Sequence, residues 1–171
     1  MSTYQKENIG KESSKEYFEN LCHLAGAYIE SSNHPISALS NVSSVLFDQL
    51  ADVNWVGFYL FDGQKLVVGP FQGKPACSEI QLGKGVCGQS ALQKKTLVVD
   101  DVKLFDGHIA CDAASASEVV VPVVSRSGRL LGVLDIDSPM KGRFDQNFAA
   151  SMENIVAKLT GKFDVDFFVQ S

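Results

Sequence analysis

Apolar residues recur at helical spacing between Ser14 and Ile29, where Tyr17, Leu21, Leu24, Ala25 and Tyr28 fall together on a 3.6-residue period. Ser32-Asn33-His34-Pro35 breaks that helix. A second apolar stripe follows through Ile36, Leu39, Val42, Leu46, Phe47 and Leu50. The period then changes. Val53–Phe61 is rich in β-formers, and Asp62-Gly63 signals a hairpin ahead of Lys65–Val68. Residues 69–90 are glycine-rich and irregular at first, with a short helix expected from near Gly85 to Gln93. Thr96–Val99 reads as a strand. Residues 100–117 form a loop of a length that is usually functional or mobile. Glu118–Ser125 and Arg129–Asp137 read as two strands around Ser127-Gly128. Phe144–Thr160 closes the pattern as an amphipathic helix carrying Phe148, Met152, Ile155, Val156 and Leu159. Hairpin-linked strands with helices at both chain ends predict an α+β domain, an antiparallel sheet packed against helices, rather than a doubly wound parallel sheet. The polar residues 1–12 stand apart from this domain, which is taken as 13–171.

The last hairpin concentrates charge. With Ser127-Gly128 as a two-residue turn, Arg126 faces Arg129, Val120 faces Asp135 and Glu118 faces Asp137. Alternation then puts Glu118, Val120, Pro122 and Val124 on one face with Leu131, Val133, Asp135 and Asp137. Three carboxylates gather at one end of an otherwise apolar face, and directly opposed like charges destabilise a sheet. Such a group needs a cation, shared protons or water. It is either a socket for an ammonium group, a metal ion or a basic side chain, or the solvated end of a hairpin. Trp55 and Tyr59, four apart on a strand, share a face as plain core or as the wall of a small apolar pocket.

Four cysteines add a second chemistry. Cys111 sits in the long loop within Gly107-His108-Ile109-Ala110-Cys111-Asp112. Loops expose thiols, and the thiolate is the nucleophile. His108 could assist it, whereas Asp112 would raise its pKa. Cys77 lies in another irregular stretch. Cys87 lies beside Gly85 and Gly88 near a helix start, where the helix dipole would favour a thiolate. Three readings stay open from spacing alone: a nucleophile with resolving partners, three buried small hydrophobes, or a zinc site of Cys77, Cys87, Cys111 and His108, for which no C-x-x-C knuckle is present. Cys22 reads as packing on the first helix, and His23 and His34 as surface or cap residues. The tract Gly73–Gly88 lacks the phosphate-loop pattern G-x-x-x-x-G-K-[ST].

Composition narrows the setting. Hydrophobic residues make up 45% and charged residues 20%, as in a globular protein. The net charge of -5 and the absence of a basic stripe argue against nucleic acid. No apolar run follows a basic start, and no stretch approaches the roughly 20 apolar residues of a membrane span. A cytoplasmic protein is expected, in a compartment where an inert disulfide framework is not.

NWVGFYL (54–60), GPFQGKPAC (69–77), GKGVCG (83–88), GHIACDAASASE (107–118) and GVLDIDSP (132–139), in this order and at this spacing, resemble the free methionine-(R)-sulfoxide reductases, which are GAF-domain enzymes. The resemblance covers nearly the whole chain. It implies a single GAF-like domain with a sheet of six antiparallel strands, helices behind and a closed pocket in front. It implies Cys111 as the nucleophile, Cys77 as the main resolving thiol and Cys87 as a third active-site cysteine. It further implies that Glu118, Asp135 and Asp137 hold the substrate's amino group, and that Trp55 and Tyr59 wall the methyl-sulfoxide end. The activity implied is reduction of free L-methionine-(R)-sulfoxide through a cysteine sulfenic acid and an intramolecular disulfide, with Glu118 or Asp135 as the proton source. The family is cytoplasmic and usually dimeric. It is recycled by thioredoxin as external dithiol, so no resident cofactor or metal is expected. The alternative is a non-enzymatic GAF module that senses a small molecule. The thiol set, and a length that leaves no room for an output domain, favour the enzyme.

Overall fold

The computed structural model describes residues 14–107 and 114–164; the N-terminal segment 1–12 lies outside them. Three of the helices begin where the sequence supplies a side-chain cap. The Ser14 hydroxyl accepts from the Tyr17 amide at 3.0 Å to open α1 (Lys15–Ser31). His34 Nδ1 accepts from the Ile36 amide ahead of α2 (Pro35–Gln49), with proline where its missing N–H costs nothing. A short α3 (Gly85–Gln93) follows later in the chain. Asp145 accepts from the Phe148 amide at 2.7 Å to start α4 (Gln146–Lys162).

Six strands lie between α2 and α4: β1 (Trp55–Phe61), β2 (Lys65–Gly73), β3 (Glu79–Gln81), β4 (Leu97–Val99), β5 (Ser117–Val124) and β6 (Leu130–Ser138). They form one antiparallel sheet in the order β3-β2-β1-β6-β5-β4. This is the expected α+β architecture. Helices α1, α2 and α4 cover one face, where Leu21, Leu39, Phe58, Val121, Leu134, Ile136, Phe148 and Met152 join one buried cluster. The other face carries a smaller cluster around Trp55, Tyr59, Leu66, Val120 and Val133, covered by α3 and the β2–β3 connection. No helix among the described residues is long and apolar enough to cross a membrane.

Two local departures matter. The irregular tract expected from residue 69 instead continues β2 to Gly73, and β3 follows it. Gly69-Pro70 hides the continuation beyond Val68. These two residues oppose Phe58 alone, in a bulge between the pairs Gly57↔Phe71 and Tyr59↔Val68, which is where a strand tolerates proline. The three residues of β3 are too few to show alternation.

The β5–β6 turn is also longer than expected. Gly128 N donates to Ser125 O and Ser125 N to Arg129 O, so Arg126–Gly128 is a three-residue loop with Gly128 at φ 83°. Arg126 therefore does not pair with Arg129. The loop alone would slip the strands by one residue and turn every side chain over. Leu131 absorbs the slip as a bulge, because Val124 pairs with Leu130 but Val123 pairs with Gly132. Beyond it Val120 faces Asp135 and Glu118 faces Asp137, as expected. Leu131 is the exception, since the bulge moves it off the acid face and into the helix-side cluster.

Candidate active site

The central strands bring the acids to the aromatic pair. On β6, Asp137 lies between Trp55 and Glu118, Asp135 between Gly57 and Val120, and Val133 opposite Tyr59. Gly57 is required here, because a Cβ would lie 2.3 Å from Phe71 Cβ and 2.7 Å from the Trp55 ring. Its absence lets Trp55 stack on Phe71 at 5.2 Å and on Tyr59 at 5.7 Å. Both ring systems end in a polar atom that reaches the β2–β3 connection. Trp55 Nε1 donates to Lys74 O at 3.2 Å, and the Tyr59 hydroxyl donates to Cys77 O at 3.1 Å. The segment carrying Cys77 is thus hung from the pocket wall.

A cavity of about 40 Å³ is enclosed by Trp55, Tyr59, Cys87, Glu118, Asp135 and Asp137, together with residues of the β2–β3 connection and the start of α3. At ~10–15 Å³ for one water, it has the scale of a small polar group. The described residues also form a larger open groove of about 1110 Å³ between α1 and α4. It lies behind the sheet and gathers no comparable set of acids and thiols.

Cys87, Glu118 and Asp135 are all buried at the floor of the smaller pocket. Cys87 Sγ lies 3.8 Å from Glu118 Oε1. No ion pair among the described residues reaches Glu118 or Asp135. Asp135 Oδ1 is buried without a hydrogen-bond partner. Burial first, then the neighbouring Asp135 and Asp137 carboxyls, pushes the Glu118 acid well above the usual carboxylate range. Burial also raises Asp135 to about 7, against the opposing effect of its hydrogen bonds to Cys87 and Glu118. Burial therefore shifts both acids of the pair toward their protonated forms. The Tyr59 phenol is held protonated by burial and by Asp135.

The thiols divide. Cys87 occupies the first turn of α3 as expected, but the expected thiolate is not favoured there. Burial, followed by Asp135 and Glu118, raises its pKa well above that of a free thiol. The helix dipole is worth about 0.3–1 kcal/mol in the usual case, too little against desolvation beside acids. Cys77 is half-buried beside the pocket cluster and disulfide-bonded, whereas Cys22 and Cys87 are free thiols. Cys22 packs between α1 and α4, its Sγ 3.4 Å from Ser151 O. Cys111, the expected nucleophile, and His108, which with Cys111 completes the four-ligand zinc alternative, lie outside the described residues. The pattern reading missed the tethers to Lys74 O and Cys77 O. Those contacts join β1 to a loop about 18 residues away, and no local period carries such a signal.

Residues 37–160 match the GAF domain family. The chain is 43% identical over 144 residues to the free methionine-R-sulfoxide reductase of Escherichia coli, covering 84% of this chain and 87% of that one. It is similar to the Staphylococcus aureus protein fRMsr solved in complex with substrate, at 45% identity, TM-score 0.81, and 90% and 97% coverage. It is likewise similar to the free methionine-R-sulfoxide reductase of Neisseria meningitidis, also solved with its substrate, at 35% identity, TM-score 0.84, and 91% and 94% coverage.

Proposed function

The chain belongs to the free methionine-R-sulfoxide reductase family of GAF-domain proteins, and we propose that it reduces free methionine-(R)-sulfoxide to methionine in the pocket enclosed by Trp55, Tyr59, Cys87 and the acids of β5 and β6. It is an oxidoreductase of that family, not the non-enzymatic sensor considered as the alternative. The observation that carries the pocket assignment is the buried pair Glu118–Asp135, which lines a small cavity together with Trp55 and Tyr59 and whose acids burial shifts toward their protonated forms.

In this reading the three acids divide the work. Glu118 and Asp135 face the sulfoxide oxygen and supply the proton. Asp137, half-buried at the mouth beside Trp55, supplies the negative charge that holds the substrate's ammonium group. The stacked Trp55 and Tyr59 rings receive the methyl end. The Cys111 thiolate attacks the sulfoxide sulfur, and the acid pair protonates the oxygen. That oxygen passes to Cys111 as a sulfenic acid while methionine departs. The Cys77 thiol then displaces water from the sulfenic acid, forming a Cys77–Cys111 disulfide. The disulfide found at Cys77 is consistent with this pairing. Thioredoxin, as external dithiol, returns both thiols. Overall, one sulfoxide and one dithiol become one thioether, one disulfide and one water.

The test is methionine formation, measured by chromatography with a dithiol present, from the free R epimer, the free S epimer and N-acetylated methionine-(R)-sulfoxide. Turnover is expected with the free R epimer and loss of about tenfold or more on acetylation, since removing the ammonium group strands its carboxylate. Equal turnover of the acetylated compound would remove the ammonium contact, and equal turnover of both epimers would remove the stereochemical assignment.

A further inference from the structure

The floor of the pocket also has the make-up of a metal site. One ligand atom each from Cys87, Glu118 and Asp135 lies within 4.8 Å of the other two. Ligands at the ~2.0–2.3 Å bond lengths of tetrahedral zinc stand about 3.3–3.8 Å apart, so small side-chain movements close the set around an ion. The three residues are 3%, 7% and 6% exposed. A second, independent feature points to a ligand, because Asp135 Oδ1 is buried with no partner. All three side chains line the cavity, which gives an ion a place to enter. One thiolate with two carboxylates suits a borderline-soft cation. It offers too few oxygens for calcium, which takes 6–8, and a thiolate where magnesium wants oxygen.

We propose that Cys87, Glu118 and Asp135 form an inhibitory site for a zinc-class divalent cation, which excludes the substrate by occupying the pocket floor. Binding exchanges the protons on these groups for the ion and leaves one coordination position for water. No electron transfer is involved. The metal site stands on the geometry alone, whereas its inhibitory effect rests on the reductase reading.

Cobalt(II) is the probe, added to the reduced, chelator-treated full-length protein. One equivalent per chain should give a thiolate-to-cobalt charge-transfer band in the near ultraviolet, with visible bands of tetrahedral intensity, and zinc should displace it. The spectrum should persist when Cys77 and Cys111 are both replaced by serine. Cys87→Ala should lose the charge-transfer band. Should that variant fail to fold, Glu118→Gln and Asp135→Asn keep the thiol and should weaken cobalt binding by about tenfold or more. Zinc should raise the apparent KM for free methionine-(R)-sulfoxide with kcat unchanged at saturating substrate. No band in the wild type, a band surviving Cys87→Ala, a band lost with Cys77 and Cys111, or undiminished binding in both acid variants would each overturn the site. A cobalt site without competition against substrate would overturn the inhibition. Absent turnover in metal-free protein counts against the reductase reading alone, because the cobalt spectrum needs no turnover.

Discussion

Neighbouring residues of β5 and β6 meet opposite environments according to the side of the sheet they face. Val119, Val121, Leu134 and Ile136 point to the helices and are 0–2% exposed in one apolar cluster. One residue along, Glu118, Val120, Val133 and Asp135 point to the pocket, also buried but with two protonatable acids among them. The helix side has stripes of apolar side chains at a fixed period, so the sheet face can be covered without polar residues. The pocket side is covered by one short helix and an irregular segment hung from Trp55 and Tyr59. Such a cover leaves room for groups that packing alone would reject, including an unpartnered Asp135 oxygen. Departures from local consistency tend to collect at functional sites, and here they collect on one face.

The comparison can be broken most completely at the thiols, which the proposed chemistry needs and the sheet does not. Cys111→Ser should abolish methionine release even in a single turnover, with the thermal midpoint of the reduced protein unchanged. Cys77→Ser should release about one methionine per subunit and then stall, because the sulfenic acid lacks its partner. Retained release in the first variant would move the nucleophile to Cys77 or Cys87.

Adjacent residues on β6 sharpen the contrast. Asp135→Asn should lower kcat/KM by roughly tenfold or more, through loss of a proton donor, since a positioned general acid contributes about 10²–10⁴-fold. Ile136→Ala should instead cost about 2–5 kcal/mol of unfolding free energy by opening a cavity against the helices, with kcat/KM within about twofold at a temperature where it stays folded. Denaturant titration and steady-state kinetics on both variants separate the two. Matching losses of activity and stability in both variants would mean that the faces are not functionally distinct.

Between pH 5 and 8 the pH dependence should fall on the pocket side of β6. Asp135 is raised from 3.8 to about 7 by burial. A raised acid contributes stability that is full below 3.8 and is lost as pH rises through about 7. Thermal midpoints of wild type and Asp135→Asn should therefore shift in the variant's favour between pH 5 and 8, on the order of the ~1.4 kcal/mol per pKa unit that linkage allows. A constant difference would place the Asp135 titration elsewhere. The smallest effect is expected from Tyr59→Phe. It removes one hydrogen bond to the Cys77 carbonyl, worth about 1 kcal/mol, and should slow disulfide formation a few-fold while sparing the first methionine release. Rapid-quench kinetics would show it, and an equal slowing of both steps would give Tyr59 a role at the substrate rather than at Cys77.

Local pattern was sufficient for much of this protein. Helical periods marked α1, α2 and α4, and β-rich runs with turn residues marked β1, β5 and β6. Both signals arise between residues a few positions apart, where sequence spacing is spatial spacing. The pairing of Glu118 with Asp137 and Val120 with Asp135 was legible as well, although through two departures that cancel, a longer turn and the Leu131 bulge. Tertiary structure decided the rest. The Gly69-Pro70 bulge needed β1 as a partner before the second half of β2 could be recognised. The Cys87 thiol follows not the dipole of its own helix but the loss of water around it and then the acids of two distant strands. Protonation in the pocket, too, is a property of the assembled cavity. Charge and desolvation act through space, and the chain brings residues 55, 59, 87, 118, 135 and 137 together only after the sheet has closed over them.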